Sequence, residues 1–341
     1  MKKVFAILLT LAMLLAMTAC GGNAPETTAP SVPQTTAPVE TTVPVAAEPV
    51  NVMVLNGTTG FGMANLMDAA GKGEAKQSYN FSVETDASNI VAALVNGSVD
   101  IAALPTNAAA AVYNKTQGGV QVLALNTLGV LYLVTDGTVE ISSMADLAGM
   151  TVYAPAQNPS FIFQHIVQAN GLTDVTIDNT FAQPADLNAA VASGQVSVAV
   201  LPEPMVTVAK SKNPELKVAL DLTAEWDKVS TAGSLVQGCV VVRKDFAQNN
   251  AQAVARFLEE YGASIQGMLD DIEGTAAKIE ATGIFAKAGV AAKAIPNCNV
   301  CFITGAEMQA SLAEFLDTMF QVAPASVGGS IPGADFYYIS E

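Results

Sequence analysis

Two stretches of this chain say nearly the same thing: "NGSVDIAALPTN" at residues 96–107 and "SGQVSVAVLPEP" at 193–204. A shift of 97 lays Gly97 on Gly194, Val99 on Val196, Ala102 on Ala199, Leu104 on Leu201 and Pro105 on Pro202. The match runs backwards as well, with Ala92 and Ala93 falling on Ala189 and Ala190. Each copy decodes as an Ala-rich helical turn, a glycine where a helix ends in a left-handed residue, a short apolar strand and a closing proline. A repeat of a helix–turn–strand unit about a hundred residues apart predicts two α/β halves of similar plan. Apolar strands alternating with helices further predict parallel pairing, covered on both faces.

The same alternation extends outward. "VNVMVLNG" (50–57) reads as a strand, followed by a helix from about Phe61 to Ala70, and "YNFSVET" (79–85) as the next strand. The pattern restarts with "MTVYAP" (150–155), a helix from about Ser160 to Asn170, and "DVTIDN" (174–179). The long apolar run "VQVLALNTLGVLYLVT" (120–135) is broken by Asn126, Thr127 and Gly129, and reads as two buried strands, not a membrane span. "GVLYLVT" (129–135) leads out of the first half and "GCVVVRKD" (238–245) leads back, which predicts a two-stranded hinge. After Asp245 the apolar spacing is helical to about Val322.

The chain start carries an address. Lys2 and Lys3 precede an apolar run from Val4 to Ala16 and then Met17-Thr18-Ala19-Cys20. This is the plan of a secretory signal peptide, too short for the roughly 20 residues a spanning helix needs. Cys20 directly after the cut site is similar to a bacterial lipobox, which implies removal of residues 1–19 and a diacylglycerol on the Cys20 thiol. Residues 20–49 are rich in Thr, Pro, Ala and Val without hydrophobic period, and are expected to be a tether. The expected location is the extracytoplasmic face of the cell membrane, anchored by that lipid.

A formal net charge of -16 argues against nucleic acid as a partner. The single histidine, His165, lies in "FIFQHIVQAN" and reads as a helix-face residue or, alternatively, a pocket contact. Without converging His and carboxylates no metal site is expected, nor any cofactor or catalytic residue. Arg243 and Arg256 are the only arginines, so the bidentate fork that suits sulfonate, phosphate or carboxylate has few candidates. Cys298-Asn299-Val300-Cys301 lacks the βαβ start of a thioredoxin-type redox motif and reads as structural, either a disulfide or two buried thiols. Cys239 has no evident partner.

"LVNGSVDIAALPTN", "AVLPEPMVTVA", "QGCVVVRKDF" and the ending "VGGSIPGADFYY" carry a resemblance that spans nearly everything after the tether. The chain resembles the extracytoplasmic substrate-binding proteins of ABC importers with the type II periplasmic-binding-protein fold. Within these it is similar to the nitrate/sulfonate/taurine and thiamine-pyrimidine-precursor group. The resemblance implies an α/β chain of two lobes with mostly parallel sheets, a two-stranded hinge and C-terminal helices. The expected division is 50–134 with 236–341 for the first lobe and 135–235 for the second. It further implies a monomer that captures a small molecule between its lobes and passes it to ABC permease subunits. The alternatives are a receptor presenting ligand to a membrane sensor kinase, or an enzyme of the thiamine-pyrimidine synthase or menaquinone-pathway type.

Ligands of open α/β sheets bind beyond the carboxyl ends of the strands. That rule nominates Asn56, Thr58, Thr59 and Phe61 in "NGTTGFG", where free N–H groups at a helix start suit an anion or carbonyl oxygen. It also nominates Thr106 and Asn107; Asn126 before the hinge; Gln157, Asn158, Ser160 and Phe161 in "AQNPSF"; and Glu203. For the polar residues the alternative role is helix capping, and for Glu203 it is a place in a helix's first turn, where a negative charge suits the dipole.

Overall fold

Apolar alternation becomes two sheets. The structure is a computed structural model that describes residues 48–230 and 235–339, so the signal segment, Cys20 and nearly all of the tether lie outside the described residues. In chain order the strands are β1 (Val50–Leu55), β2 (Tyr79–Glu84), β3 (Ile101–Pro105), β4 (Val120–Leu128), β5 (Leu131–Thr135), β6 (Thr151–Tyr153), β7 (Thr176–Asp178), β8 (Val198–Pro202), β9 (Lys217–Asp221), β10 (Val236–Arg243) and β11 (Val300–Ile303). They form a six-stranded sheet in the order β11-β4-β10-β3-β1-β2 and a five-stranded sheet in the order β7-β6-β8-β5-β9.

The two orders are the same once β11 is set aside. Read from its parallel edge, one sheet runs β2-β1-β3-β10-β4 and the other β7-β6-β8-β5-β9. The repeated strands β3 and β8 hold the centre of each. The fourth place is exchanged: β10, late in the chain, completes the first sheet, and β5, which follows β4, completes the second. Both enter antiparallel to the repeat strand, with Cys239 opposite Leu104 and Tyr132 opposite Leu201.

Parallel pairing is confined to the strands joined by βαβ units, β2-β1-β3 and β7-β6-β8. The remaining pairs are antiparallel, so each sheet is mixed and not mostly parallel as expected. The reason is the exchange, because a strand arriving from the other half needs no crossover helix to set its direction. The crossing also comes earlier than the 134/135 boundary. β5 already pairs with β8 and β9, so the chain changes sheets at Gly129–Val130. Beside it the ladder of the first sheet still pairs Leu128 with Val236 at the start of β10.

The C-terminal section is helical as expected except for β11. That short strand pairs antiparallel with β4, and the turn before it straps the crossing. Leu128 N–H donates to the Asn299 carbonyl (3.0 Å), Asn299 Nδ2 donates to the Gly129 carbonyl (2.5 Å) and Tyr132 Oη donates to the Asn297 carbonyl (3.2 Å). The helix Gly305–Val322 carries Met308, Leu312, Phe315, Leu316 and Met319 into a core shared by both sheets, through Val122, Leu125 and Val241 on one side and Leu131, Leu133 and Val200 on the other. Trp226 and His165 pack together at a tilt of 49° with ring centroids 4.8 Å apart, and burial lowers the His165 pKa. His165 is thus a helix-face residue packed on an indole.

Candidate functional site

Gly57 and Gln157 open the helices after β1 and β6, at equivalent places in the two sheets. Their backbones are nearly the same, φ 85°, ψ -156° for Gly57 and φ 66°, ψ -130° for Gln157. Glycine adopts this conformation freely, whereas glutamine is strained in it. The Gln157 side chain is exposed and makes no capping hydrogen bond, so nothing local repays the strain. Strained non-glycine backbone concentrates at binding and catalytic turns.

Around these turns the nominated residues divide into three groups. Some are consumed by the scaffold. Phe61 is fully buried and meets Phe285 edge-on at 6.1 Å, so it is a core residue and not a cleft contact. Thr106 Oγ1 is buried and donates to the Val236 carbonyl (3.0 Å), tying β3's end to the start of β10. Asn126 Nδ2 donates to the Thr59 carbonyl (3.0 Å) while its Oδ1 accepts from Thr127 Oγ1 (3.1 Å), which fixes the Thr58–Phe61 turn to β4. Ser160 pairs with Asn179, whose Nδ2 donates to Ser160 Oγ (3.1 Å) and to the Ala154 carbonyl (2.9 Å). Asn179 was missed because it stands directly after the short strand β7, whose three residues carry no signal of a site.

A second group stays available. Asn56 is exposed, Thr58 and Thr59 are half-buried, and Phe161 is half-buried against the shared core. Asn107 and Asn158 differ from all of these. Each lies in the first turn of the helix after a parallel strand, one in each half, and each is more than nine-tenths buried. Their Oδ1 atoms are out of contact with solvent and accept no hydrogen bond. Buried acceptors are rarely left so, because an unmade hydrogen bond there costs about 1–3 kcal/mol.

Glu203 is the third case. It is 4% exposed, and its carboxylate accepts from Thr207 N–H (3.1 Å) and Thr207 Oγ1 (3.0 Å). That is the role of a cap on the helix Met205–Lys212. Burial raises its pKa, opposed by the Thr207 bonds, by Lys210 and by Asn297. It also lines a cavity of about 520 Å³, with Tyr132, Lys210, Ser211, Lys293 and Asn297 among its other walls. The sequence reading missed these partners, since Lys293 and Asn297 are some ninety residues away and carry no motif.

Other expectations resolve more simply. Arg243 is engaged by Asp100 (3.2 Å) and Asp245 (2.9 Å) at the opposite end of β3, where Asp100 also accepts from Asn51 N–H (2.9 Å). Arg256 lies on the helix Ala251–Asp270. Cys239, Cys298 and Cys301 are free thiols, with Cys298 Sγ donating to the Ala294 carbonyl (3.1 Å). Among the described residues no cluster of His, Cys, Asp and Glu has the form of a metal site, and no helix is long and apolar enough to cross a membrane.

Residues 72–283, more than half of the chain, match the family described as ABC transporter, phosphonate, periplasmic substrate-binding protein. The chain belongs to this family. Its members are binding proteins of ABC importers and not enzymes, and membership implies a small-molecule ligand and a permease partner. No curated protein matches the chain. Among solved structures it is similar to an ABC transporter protein from Parabacteroides distasonis, with 22% identity and a TM-score of 0.73 over 86% of this chain and 99% of that one. It is also similar to the periplasmic aliphatic sulphonate binding protein SsuA from Escherichia coli, with 17% identity and a TM-score of 0.66 over 83% and 96% of the two chains. At these identities the likeness is one of fold. Substrate-binding proteins of this family therefore provide the architecture in which the two equivalent turns are read.

Proposed function

We propose that the chain is an extracytoplasmic lipoprotein that captures a small molecule between two lobes and delivers it to an ABC importer. Residues 1–19 are removed, Cys20 is lipidated, and residues 20–49 tether the lobes to the membrane surface. The lobes are built on the two sheets, with the crossing at Gly129–Val130 and the return before β10 as the hinge, and binding closes them by hinge motion. Neither lobe needs a cofactor, and the protein works as a monomer.

One observation carries this reading. Asn107 and Asn158 hold buried, unpaired amide oxygens at the carboxyl ends of β3 and β6, one on each sheet. Strand ends of this kind are where open α/β sheets bind ligands. A cargo with N–H or O–H donors supplies the missing partners and recovers roughly 1–3 kcal/mol per oxygen. The family description names phosphonate and a structural neighbour is described as binding aliphatic sulphonates. Arg243, committed to Asp100 and Asp245, is not free to grip an acidic headgroup here. We read the cargo as a small molecule rich in donors, of the amine or aminopyrimidine kind.

Native mass spectrometry of protein purified without refolding identifies co-purified cargo as an added mass. Calorimetry with that cargo then tests the residues. Asn107→Leu and Asn158→Leu are each expected to weaken binding by about tenfold or more while leaving folding intact. Unchanged affinity in both variants removes the strand-end turns from the site. Cys20→Ser separately tests the anchor, and membrane retention with normal processing refutes it.

A further inference from the structure

The cavity beside Glu203 is shaped and charged for a ligand of its own. Its volume of about 520 Å³ is in the range of small-molecule sites. Its residues come from two parts of the fold: Tyr132 on β5 and Glu203, Lys210 and Ser211 around the helix Met205–Lys212, against Lys293 on the helix Ala288–Ala294 and Asn297 after it. The hydrogen bond from Tyr132 Oη to the Asn297 carbonyl ties the two sides together.

The cavity gathers two lysines of a chain that carries 31 acidic against 15 basic residues. Lys210 and Lys293 make no ion pair among the described residues, yet both face the same cavity. The carboxylate of Glu203 lines the same cavity, each of its oxygens accepting one bond from Thr207. A carboxylate has about four acceptor positions, so capacity remains on the cavity side. Glu203 lies two residues before the helix Met205–Lys212, and Lys210 stands five residues into it, roughly 8 Å of rise from its start. Side chains on a helix lean toward its N-terminus, which brings the ammonium of Lys210 back toward the carboxylate.

We propose that this cavity binds a small zwitterion. Its ammonium group sits on Glu203, and its anionic group lies between Lys210 and Lys293, with the Ser211 hydroxyl beside them. An ammonium offers three donors to the carboxylate's open positions. The ligand spans both sides of the cavity, and its two ends satisfy opposite charges between which the protein forms no ion pair. The inference stands whether or not the strand-end turns hold cargo.

Calorimetry on the intact protein with β-alanine, 4-aminobutyrate, 5-aminovalerate and 6-aminohexanoate tests it, with butylamine and butyrate as one-ended controls. At least one amino acid of the series is expected to bind about tenfold more tightly than either control, and addition of salt weakens it. Lys210→Met with Lys293→Met, both exposed and free of ion pairs, reduces that affinity about tenfold without changing the melting temperature. Asn107→Leu and Asn158→Leu leave it unchanged. The proposal is overturned if no member of the series binds at millimolar concentration, if amine, acid and zwitterion bind alike, or if the lysine variant binds as the parent does. Loss of binding in the asparagine variants alone puts the ligand at the strand ends and overturns the cavity site too, while leaving the strand-end reading intact.

Discussion

Replacing Gln157 by glycine should make the protein more stable. Gln157 holds φ 66° and ψ -130°, a region that side chains avoid, and the equivalent turn in the first sheet places Gly57 there. The strain of a non-glycine residue in such a region is about 1–3 kcal/mol. Glycine relieves it but loses about 0.4–1 kcal/mol through the greater freedom of the unfolded chain. The Gln157 side chain is exposed and makes no capping bond, so no contact is sacrificed. The net expected gain is about 0.5–2 kcal/mol. At about 2.1 cal/mol/K per residue over the roughly 290 described residues, each kcal/mol raises the melting temperature by about 1.6 °C. Urea unfolding of the variant measures the gain directly, and Gly57→Ala provides the reverse experiment. A Cβ at Gly57 meets nothing within 4 Å, so its whole effect is backbone strain, an expected loss of about 1–3 kcal/mol. A destabilised Gln157→Gly together with an unaffected Gly57→Ala would show that these turns store no strain. If the turn serves binding, Gln157→Gly should also weaken cargo affinity while it raises stability.

Three further outcomes follow from the geometry. In Gly238→Ala the new Cβ lies 2.5 Å from Asn126 Oδ1 and 2.9 Å from Thr127 Cβ, so the variant should lose about 1–3 kcal/mol and release the Thr58–Phe61 turn, read as faster hydrogen exchange there; parental stability contradicts this. Burial raises the folded-state pKa of Glu203, so the folded protein takes up that proton before the unfolded chain does, and its ionisation penalty is present above the folded pKa and relieved as pH falls through it. The stability advantage of Glu203→Gln over the parent should therefore shrink from pH 7 towards pH 4.5 in urea titrations, and a growing advantage would reverse the assignment. Burial pushes the Cys301 thiol up to about 12 and holds those of Cys239 and Cys298 well above the usual thiol range, so maleimide labelling of the folded protein at pH 8, mapped by peptide mass, should be slow at all three; rapid labelling of buried Cys298 would be incompatible with the packing.

The repeat made the central strand of each sheet readable, because a strand that is buried on both faces must be apolar throughout and must be followed by a turn. Gly97 and Gly194 adopt the left-handed conformations that their places after the repeated helices call for. What stayed hidden depends on partners distant in the chain. β11 is four residues long and becomes a strand only because β4 presents an open edge to it. The direction of β5 and β10 could not be read from their composition, which suits either kind of pairing. The same holds for the site. The strand-end rule located the right turns, but whether Asn107, Thr106 or Ser160 keeps a free polar atom depends on Val236 and Asn179, contacts that no local pattern announces. Glu203 stood out as the point where the two copies diverge, yet its neighbours Lys293 and Asn297 come from a section that shows only helical spacing.

The exchange of the fourth strand also has a consequence for the order in which the chain is made. Synthesis delivers β1 to β4 first, but the place between β3 and β4 stays empty until Arg243, more than a hundred residues after Leu128, has emerged. A nascent chain usually completes its domains one after another from the N-terminus. This one cannot close its first sheet until it has written the whole of the second; until then β3 presents an unpaired apolar edge, and β4, whose neighbours β10 and β11 both come later, has no strand beside it. A chain stalled before Val236 therefore leaves both strands as templates for a neighbouring copy, and the two halves come to maturity together or not at all.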